Sequence, residues 1–318
     1  MTEHTGITAI EEPHAQPART AGSEPVGAGE PVPPEAPSTA ALIWRRFRRD
    51  PVALTALAFI VLVIGAAVLA PLISPKDPNA QDLFNRHKGW SAAFPLGTDG
   101  FGRDVLSRVI YGSRTTLVAS LEALAIAVVL GAPIGLMAGY LGGRIDALLS
   151  WVSNAMMAMP SLIVAFTIIA VLGNNLTNAM LAVGIVVSPR FFRIARASTQ
   201  DVKHETYIEA ARSIGCSSSR IVIRHIVPNM ISPLIVQASL TLGTLVLIEA
   251  TLSFLGLGVQ PPTSSWGAMI STAALSIYTD KWAILAPGVV IVVTVLAFSI
   301  VGDALGDAIA PGSRKDQA

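Results

Sequence analysis

Six long apolar stretches constrain this chain more than any other feature of its sequence. They cover residues 51–73, 116–140, 149–172, 176–192, 231–256 and 283–305. A helix needs about 20 mostly apolar residues to cross a hydrocarbon core of roughly 30 Å. The stretch at 176–192 is the weakest, because it is short and ends at Pro189 and Arg190. The pattern predicts an all-α integral membrane protein with about six transmembrane helices.

Composition agrees with a membrane protein and argues against other classes. The chain is 52% hydrophobic and 14% charged, whereas a soluble domain carries roughly a quarter charged residues. A net charge of +1 argues against a nucleic-acid partner. A single cysteine, Cys216, rules out an intramolecular disulfide and a metal site built from several cysteines.

The N-terminal segment differs from the rest of the chain. Residues 1–40 are rich in Pro, Ala, Gly and Glu, which predicts a disordered cytoplasmic tail ahead of a transmembrane domain at 41–318. A polyproline-type docking site in PVPPEAP is an open alternative. The basic sequence WRRFRRDP then precedes the first apolar run. That run is longer than the apolar region of a signal peptide, about 7–15 residues, so it is interpreted as a first transmembrane helix.

The distribution of Lys and Arg between the spans predicts the orientation. One side of the membrane holds fourteen of these residues, at 45–49, 144, 190–224 and 314–315. The other side holds seven, at 76–114 and 281. This asymmetry predicts a multi-pass protein of the inner or plasma membrane with both termini cytoplasmic. Residues 193–228 are then cytoplasmic, and residues 74–115 and 257–282 lie outside.

The cytoplasmic insert carries signals for two short helices. Thr206 and Glu209 fit a capping box, which predicts a helix from Tyr207 to about Ile214, ended by a left-handed turn at Gly215. A second helix follows from 217–219, and Pro228 closes it before the next span. Two short helices on the ends of two spans suit the transmission of force. A solvated helical loop is an equal alternative from the spacing alone.

The same insert resembles a known motif. Glu209, Ala210, Ala211, Gly215 and Pro228 match the EAA-x3-G-x9-I-x-L-P motif of permease subunits of ATP-binding-cassette importers, with departures at His225 and Val227. His at this position is common in the dipeptide/oligopeptide/nickel branch. The resemblance implies a coupling helix between the fourth and fifth spans, which docks on a cytoplasmic ATPase. It also implies that the docking residues are Glu209, Ala210, Ala211, Gly215, His225 and Pro228.

An outer segment, FPLGTDGFGRDVLSRVIYGSRTTL at 94–117, is similar to a signature of the C-type permeases of that branch. Its marked residues are Gly97, Asp99, Gly102, Arg103 and Asp104. The glycines, with Gly100, predict tight turns, and the two carboxylates are expected to pair with Arg103 and Arg108. A calcium site at the carboxylates is a minor alternative. The amphipathic RDVLSRVIYGSR is expected to lie along the outer membrane surface, with its arginines turned to head groups.

Later residues add fewer signals. EATLSFLGLGVQPPTSSWGAMI, at 249–270, resembles the exit of the fifth span in the same proteins, and Trp266 is expected at the membrane interface. Glu249, deep in that span, either lines the translocation path or accepts hydrogen bonds where the chain bends, with the structural role favoured. The branch often carries an Arg and an Asp early in the third span, where Trp151 and Asn154 stand here.

The favoured function is a permease subunit that does no chemistry itself. The chain has no G-x-x-x-x-G-K-[ST] sequence, so it lacks that route to ATP hydrolysis. The resemblance implies two partner ATPases, which hold ATP and magnesium and act through the 205–228 loop. It also implies a second, non-identical permease and an extracytoplasmic substrate-binding protein, with peptides as the favoured cargo. The chain itself is expected to hold no cofactor and no metal. A self-contained secondary transporter or channel is the alternative.

Overall fold

The computed structural model describes residues 39–278 and 283–309, and in these ranges the chain is built from helices. The tail predicted for residues 1–40 lies outside the described residues, except that a helix already begins at Thr39. The helices are α1 Thr39–Phe47, α2 Pro51–Val68, α3 Ala70–Ile73, α4 Val105–Leu141, α5 Gly143–Ala158, α6 Ser161–Leu172, α7 Leu176–Lys203, α8 Thr206–Ser213, α9 Ser218–Ile221, α10 Val227–Phe254, α11 Trp266–Ala274 and α12 Leu285–Ile309.

Five helices in the described ranges are long and apolar enough to cross a membrane, and a bent pair is a candidate for a sixth span. The pair is α5 and α6, which meet at an angle of 94°. The bend falls at Met159, which is extended (φ −82°, ψ 140°) because a residue before proline is driven out of the helical region. The prediction of one continuous helix at 149–172 is therefore wrong. The first half of this span also begins earlier, at Gly143.

Helix α4 is longer than the apolar run that predicted it. It starts at Val105, where the Asp104 carboxylate accepts a hydrogen bond from the Ser107 amide at 2.8 Å. It continues without interruption for 37 residues, about 55 Å at 1.5 Å per residue. The prediction of a separate surface helix before the span is wrong. Nothing between 105 and 116 breaks the helix, and Ser107, Gly112 and Thr116 are buried against other segments.

Helix α7 passes through Pro189, where the sequence predicted its end. Proline lacks the N–H that would bond to the Ile185 carbonyl. The hydroxyl of Ser188 donates to that carbonyl instead, at 2.8 Å. The helix therefore continues to Lys203, eleven residues past the predicted boundary at 192. Side-chain replacement of a lost backbone bond is the usual way in which membrane helices tolerate proline.

A stripe of glycines packs α4 against α7. Gly131, Gly135 and Gly139 lie one turn apart on α4, and a Cβ on them would meet carbonyl oxygens of α7 at 2.3, 2.3 and 2.7 Å. On α7, Gly184 faces Ile126 of α4 in the same way, with a Cβ contact of 2.6 Å. Small residues at this spacing let two backbones approach closely. The stripe therefore fixes α7, and with it the start of the loop that follows.

Candidate functional site: the 204–228 loop and the outer loop

Helix α8 begins one residue earlier than the capping box predicts. Its N-cap is Glu205, whose carbonyl accepts from the amides of Ile208 at 2.9 Å and Glu209 at 3.3 Å. Thr206 is already helical, and no side chain caps the helix. The predicted capping box is therefore wrong. Because α7 extends to Lys203, only His204 and Glu205 separate the two helices, which leaves no room for Thr206 outside the helix.

The turn after α8 agrees with its prediction. Gly215 has φ +81°, in the left-handed region that favours glycine. The Cys216 amide bonds to the Ala211 carbonyl at 3.0 Å, and the Gly215 amide bonds to the Arg212 carbonyl at 3.0 Å. These two bonds form a Schellman motif, which satisfies carbonyls at the helix end. The space around Gly215 is open, since a Cβ would meet no atom within 4 Å.

Three isoleucines pack the loop onto the helix ends. Ile208, Ile221 and Ile226 are fully buried together, with Leu136 and Tyr140 of α4 beside them. Such a cluster holds α8, α9 and the start of α10 as one packed unit. Nearby, the Lys203 Nζ donates to the Tyr140 carbonyl at 2.6 Å, which ties the end of α7 to the end of α4.

The second short helix is not separate from the next span. Residues 218–221 are α-helical, Val222–Ile226 form one π-helical turn, and α10 follows at once. The Val227 amide bonds to the Val222 carbonyl, five residues back. Pro228 therefore follows the π-helical turn inside one continuous helical segment, residues 218–254, and does not close a helix. The prediction that Pro228 ends the second helix is wrong.

The exposed face of the 204–228 loop combines apolar and charged side chains. Ile214 is 81% exposed, Ile223 70% and Tyr207 46%. Of the residues predicted for docking, Glu209, Ala210, Gly215 and Pro228 are exposed, whereas Ala211 and His225 are partly buried. The His225 ring lies 5.9 Å from the Tyr207 ring, so it also links α8 to α10. Within α8, Ile208 is buried and Ala211 is partly buried, whereas Ile214 after the helix is exposed.

The outer loop, residues 74–104 between α3 and α4, contains glycines at two positions that require a special backbone conformation. Gly97 and Gly102 have φ +76° and +75°. A Cβ on Gly102 would lie 1.8 Å from the Asp82 carbonyl oxygen, and one on Gly97 would lie 2.7 Å from the Lys88 oxygen. The tight turns predicted at these two glycines are therefore present.

The carboxylates of this loop have different roles. Asp99 Oδ2 lies 2.7 Å from Arg103 Nε and 3.8 Å from Arg108 Nε. Asp104 makes no such pair with any residue that the structure describes, and it caps α4, because its Oδ2 accepts from both the amide and the hydroxyl of Ser107. The ion-pair prediction is thus confirmed for Asp99 and wrong for Asp104. Arg108 is buried and donates from Nη1 to the Pro78 carbonyl at 2.9 Å, so it does not face lipid head groups.

The tryptophan predicted at the membrane interface lies in the interior. Trp266 is fully buried at the start of α11. Its Nε1 donates to the Val109 carbonyl at 3.0 Å, and its amide donates to the Thr116 hydroxyl at 3.3 Å. Two backbone-linked contacts to α4 fix the ring there, so the interface prediction is wrong.

Glu249 is fully buried within α10. Its Oε1 accepts a hydrogen bond from the Ser253 hydroxyl at 2.7 Å, and the same hydroxyl accepts from the Val259 amide at 3.1 Å. Oε2 has no hydrogen-bond partner at bonding distance among the described residues. The carboxyl group thus connects to the bend after α10 through Ser253, not by direct backbone bonds.

One pair escaped the sequence analysis. On α7, Arg196 donates to both carboxylate oxygens of Asp146 on α5, with Nη2 to Oδ2 at 2.7 Å. Gln200 donates to the same Oδ2 at 3.3 Å. Arg196 and Gln200 are one helical turn apart, so both side chains lie on the same face of α7. The sequence predicts this shared face only if α7 continues past Pro189. Among residues 39–278 and 283–309, no group of three or more His, Cys, Asp or Glu is arranged to hold a metal ion.

Comparison with known proteins identifies the family. A model described as "Binding-protein-dependent transport system inner membrane component" matches residues 131–315. A second, "N-terminal TM domain of oligopeptide transport permease C", matches residues 38–89. The dipeptide transport system permease protein DppC of Alkalihalophilus pseudofirmus is 39% identical over 92% of this chain and 98% of its own length. The glutathione transport system permease protein GsiD of Escherichia coli is 40% identical over 84% of this chain and 89% of its own.

A solved structure gives the same fold. An inward-facing form of the MetNI methionine ABC transporter has a TM-score of 0.54 at 18% identity, over 65% of this chain and 98% of that chain. The chain therefore belongs to the family of binding-protein-dependent inner-membrane transport components, and it is a C-type permease subunit of an ATP-binding-cassette importer.

Proposed function

We propose that the 204–228 loop is the element through which partner ATPases drive this permease. The observation that carries the proposal is the buried isoleucine cluster, which fastens an exposed docking face to the ends of α4, α7 and α10. Glu209 supplies a charge on that face and Ala210 a small side chain for close approach. Gly215 and Pro228 flank them in exposed positions. Ala211 and His225 support the face from its partly buried side.

The coupling proceeds through packed contacts. Two cytoplasmic ATPases bind ATP and magnesium. The two ATPases then move towards each other and press on α8. The isoleucine cluster and the Lys203–Tyr140 bond pass the displacement to α4 and α7. The Asp146–Arg196 pair extends it to the bent α5–α6 span. The pathway then turns from inward-facing to outward-facing, and hydrolysis resets it. No bond of the cargo is changed, so the chain is not an enzyme.

Exposed surfaces support the proposal of the remaining partners. Trp151 on α5 is 68% exposed and Ile163 on α6 is 61% exposed, and these faces suit a second, non-identical permease that completes the pathway. Both termini and the 204–228 loop lie in the cytoplasm. The outer loop and residues 257–282 lie outside, where a binding protein delivers cargo. Short peptides are the proposed cargo, because relatives are named for dipeptides, di/tripeptides and glutathione.

Purification of the tagged chain from its native membrane in mild detergent tests the assembly. We expect mass spectrometry to find a second permease and one or two ATPases with a G-x-x-x-x-G-K-[ST] sequence. Recovery of the chain alone, still mediating flux in liposomes without ATP, would contradict the proposal and favour a secondary transporter.

Glu209→Lys and Gly215→Asp test the loop. Glu209→Lys reverses a charge on the docking face, and Gly215→Asp adds one. Like charges that meet across an interface weaken binding by several kcal/mol. Transport in liposomes should fall more than tenfold while the chain still inserts. Asp307→Lys, an exposed acid-to-lysine change on α12 and outside the 204–228 loop, is the matched control. Normal transport by the Glu209 and Gly215 variants would show that the loop does not couple.

A further inference from the structure

A small cavity lies where the outer loop meets α4 and α11. Its volume is about 20 Å³, enough for one or two water-sized particles. Asp99, Arg103 and Arg108 line it on one side, and Thr272, Ala273 and Ser276 on the other. The cavity therefore carries two guanidinium groups and one carboxylate from the described residues around it.

The two guanidinium groups are buried and have few partners. Arg103 is 6% exposed and Arg108 is 4% exposed. Each group has five N–H donors. Within the described part of the chain, Arg103 donates one side-chain hydrogen bond, from Nε to Asp99, and Arg108 donates one, from Nη1 to the Pro78 carbonyl. Most of their N–H donors therefore have no hydrogen-bond partner among the described residues.

Among the described residues that line the cavity, the positive and negative charges do not balance. A single carboxylate oxygen, Asp99 Oδ2, serves both arginines, at 2.7 and 3.8 Å. Its partner Oδ1 is already used by the amides of Phe101 and Arg103. Asp104, the other buried carboxylate nearby, caps α4 through Oδ2 and does not line the cavity, although its Oδ1 has no hydrogen-bond partner among the described residues. A buried like-charge pair with one counter-ion is costly unless a further negative charge is present.

We propose that this cavity binds a small monovalent anion, held by the free guanidinium edges of Arg103 and Arg108. Arg103 is oriented for this, since its guanidinium stacks 4.7 Å from the Phe101 ring while one edge holds Asp99. The Thr272 hydroxyl donates its proton to the Ala268 carbonyl within α11. The donors to the anion are therefore the arginines. The cavity volume restricts the ligand to a halide or a carboxylate no larger than formate. The bound anion neutralises the excess positive charge and locks the outer loop onto α11.

Thermal unfolding tests the site on the full-length chain, purified with the subunits that accompany it. The melting temperature in chloride is compared with that in gluconate at the same ionic strength. Gluconate is the reference anion because it is too large for the cavity. Binding to the folded state alone raises the melting temperature in a saturable way. We expect that rise with chloride, and a parallel titration with formate distinguishes a halide site from a carboxylate site. Equal melting temperatures in chloride, formate and gluconate would overturn the proposal.

Three variants assign the response to the cavity. Arg108→Gln removes a guanidinium and should weaken the apparent affinity at least tenfold. Ala273→Val fills the cavity without touching either arginine, so it decides the question even if Arg108→Gln fails to fold. Arg114→Gln, an exposed arginine on the same helix, should respond as the wild type does. An unchanged anion response in Ala273→Val would place the binding elsewhere and contradict the proposal.

Discussion

At the residue scale, single backbone positions determine the outer loop. Gly102 combines a positive φ with a carbonyl of Asp82 that leaves no space for a side chain. Its neighbour Gly100 has no positive φ, and a Cβ there would meet the His87 ring at an ordinary 3.4 Å. Two glycines that look equivalent in the sequence therefore have different structural requirements.

Gly102→Ala should destabilise the protein, whereas Gly100→Ala should be nearly neutral. A left-handed non-glycine residue costs of order 1–3 kcal/mol, and the clash with Asp82 adds to that. Thermal unfolding in detergent measures the difference. Equal melting temperatures for the two variants would mean that the loop relaxes around the added methyl group.

Glu249 offers a second test at this scale. If its role is to hold the bend after α10, Glu249→Gln keeps an acceptor for Ser253 and should retain stability and transport. Glu249→Leu removes the acceptor and should lower the free energy of unfolding by about 1–3 kcal/mol. If Glu249→Gln instead folds normally but loses transport, the carboxylate acts on the cargo or on a conformational step.

At the element scale, the glycine stripe between α4 and α7 decides how closely two spans approach. Gly135→Ala would press a methyl group to 2.3 Å from the Phe192 carbonyl. Overpacking of this kind typically costs 1–3 kcal/mol, so the variant should unfold at lower temperature. Gly65→Ala in α2 is the control, since no atom lies within 4 Å of its added Cβ and alanine favours helices. A Gly135 variant as stable as the Gly65 variant would exclude tight packing at this contact.

Hydropathy predicted which segments become spanning helices, but the prolines were misread. Pro160 breaks a helix, whereas Pro189 and Pro228 lie inside or at the start of one. The difference depends on whether a neighbour satisfies the freed carbonyl, as Ser188 does for Ile185. Likewise, Asp99 and Asp104 are both acidic residues of one loop, and their separate roles depend on where α4 begins. Local composition does not contain that information, because both outcomes arise from tertiary contacts.

At the scale of the whole molecule, the Asp146–Arg196 pair joins the bent span to the helix that carries the loop. Arg196→Asp should reduce coupled transport, because it breaks the bidentate bond and places two carboxylates together. The double variant Asp146→Arg with Arg196→Asp should recover part of it. Arg190→Ala, an exposed change on the same helix, controls for loss of charge on α7. The ratio of transport to ATP hydrolysis in liposomes is the measurement. No recovery in the double variant would argue that the pair is not a link between these elements.

The length of α7 has a consequence for where docking takes place. Its 28 residues extend about 42 Å, roughly 12 Å more than a hydrocarbon core of about 30 Å requires. We therefore expect the following loop to lie beyond the head groups, whereas α1 and its arginines directly precede the first span in the chain. In the proposed assembly, an ATPase bound to α8 would contact protein and not lipid. Changes in the surface charge of the bilayer should therefore affect the N-terminal region and leave the grip on the loop unaltered.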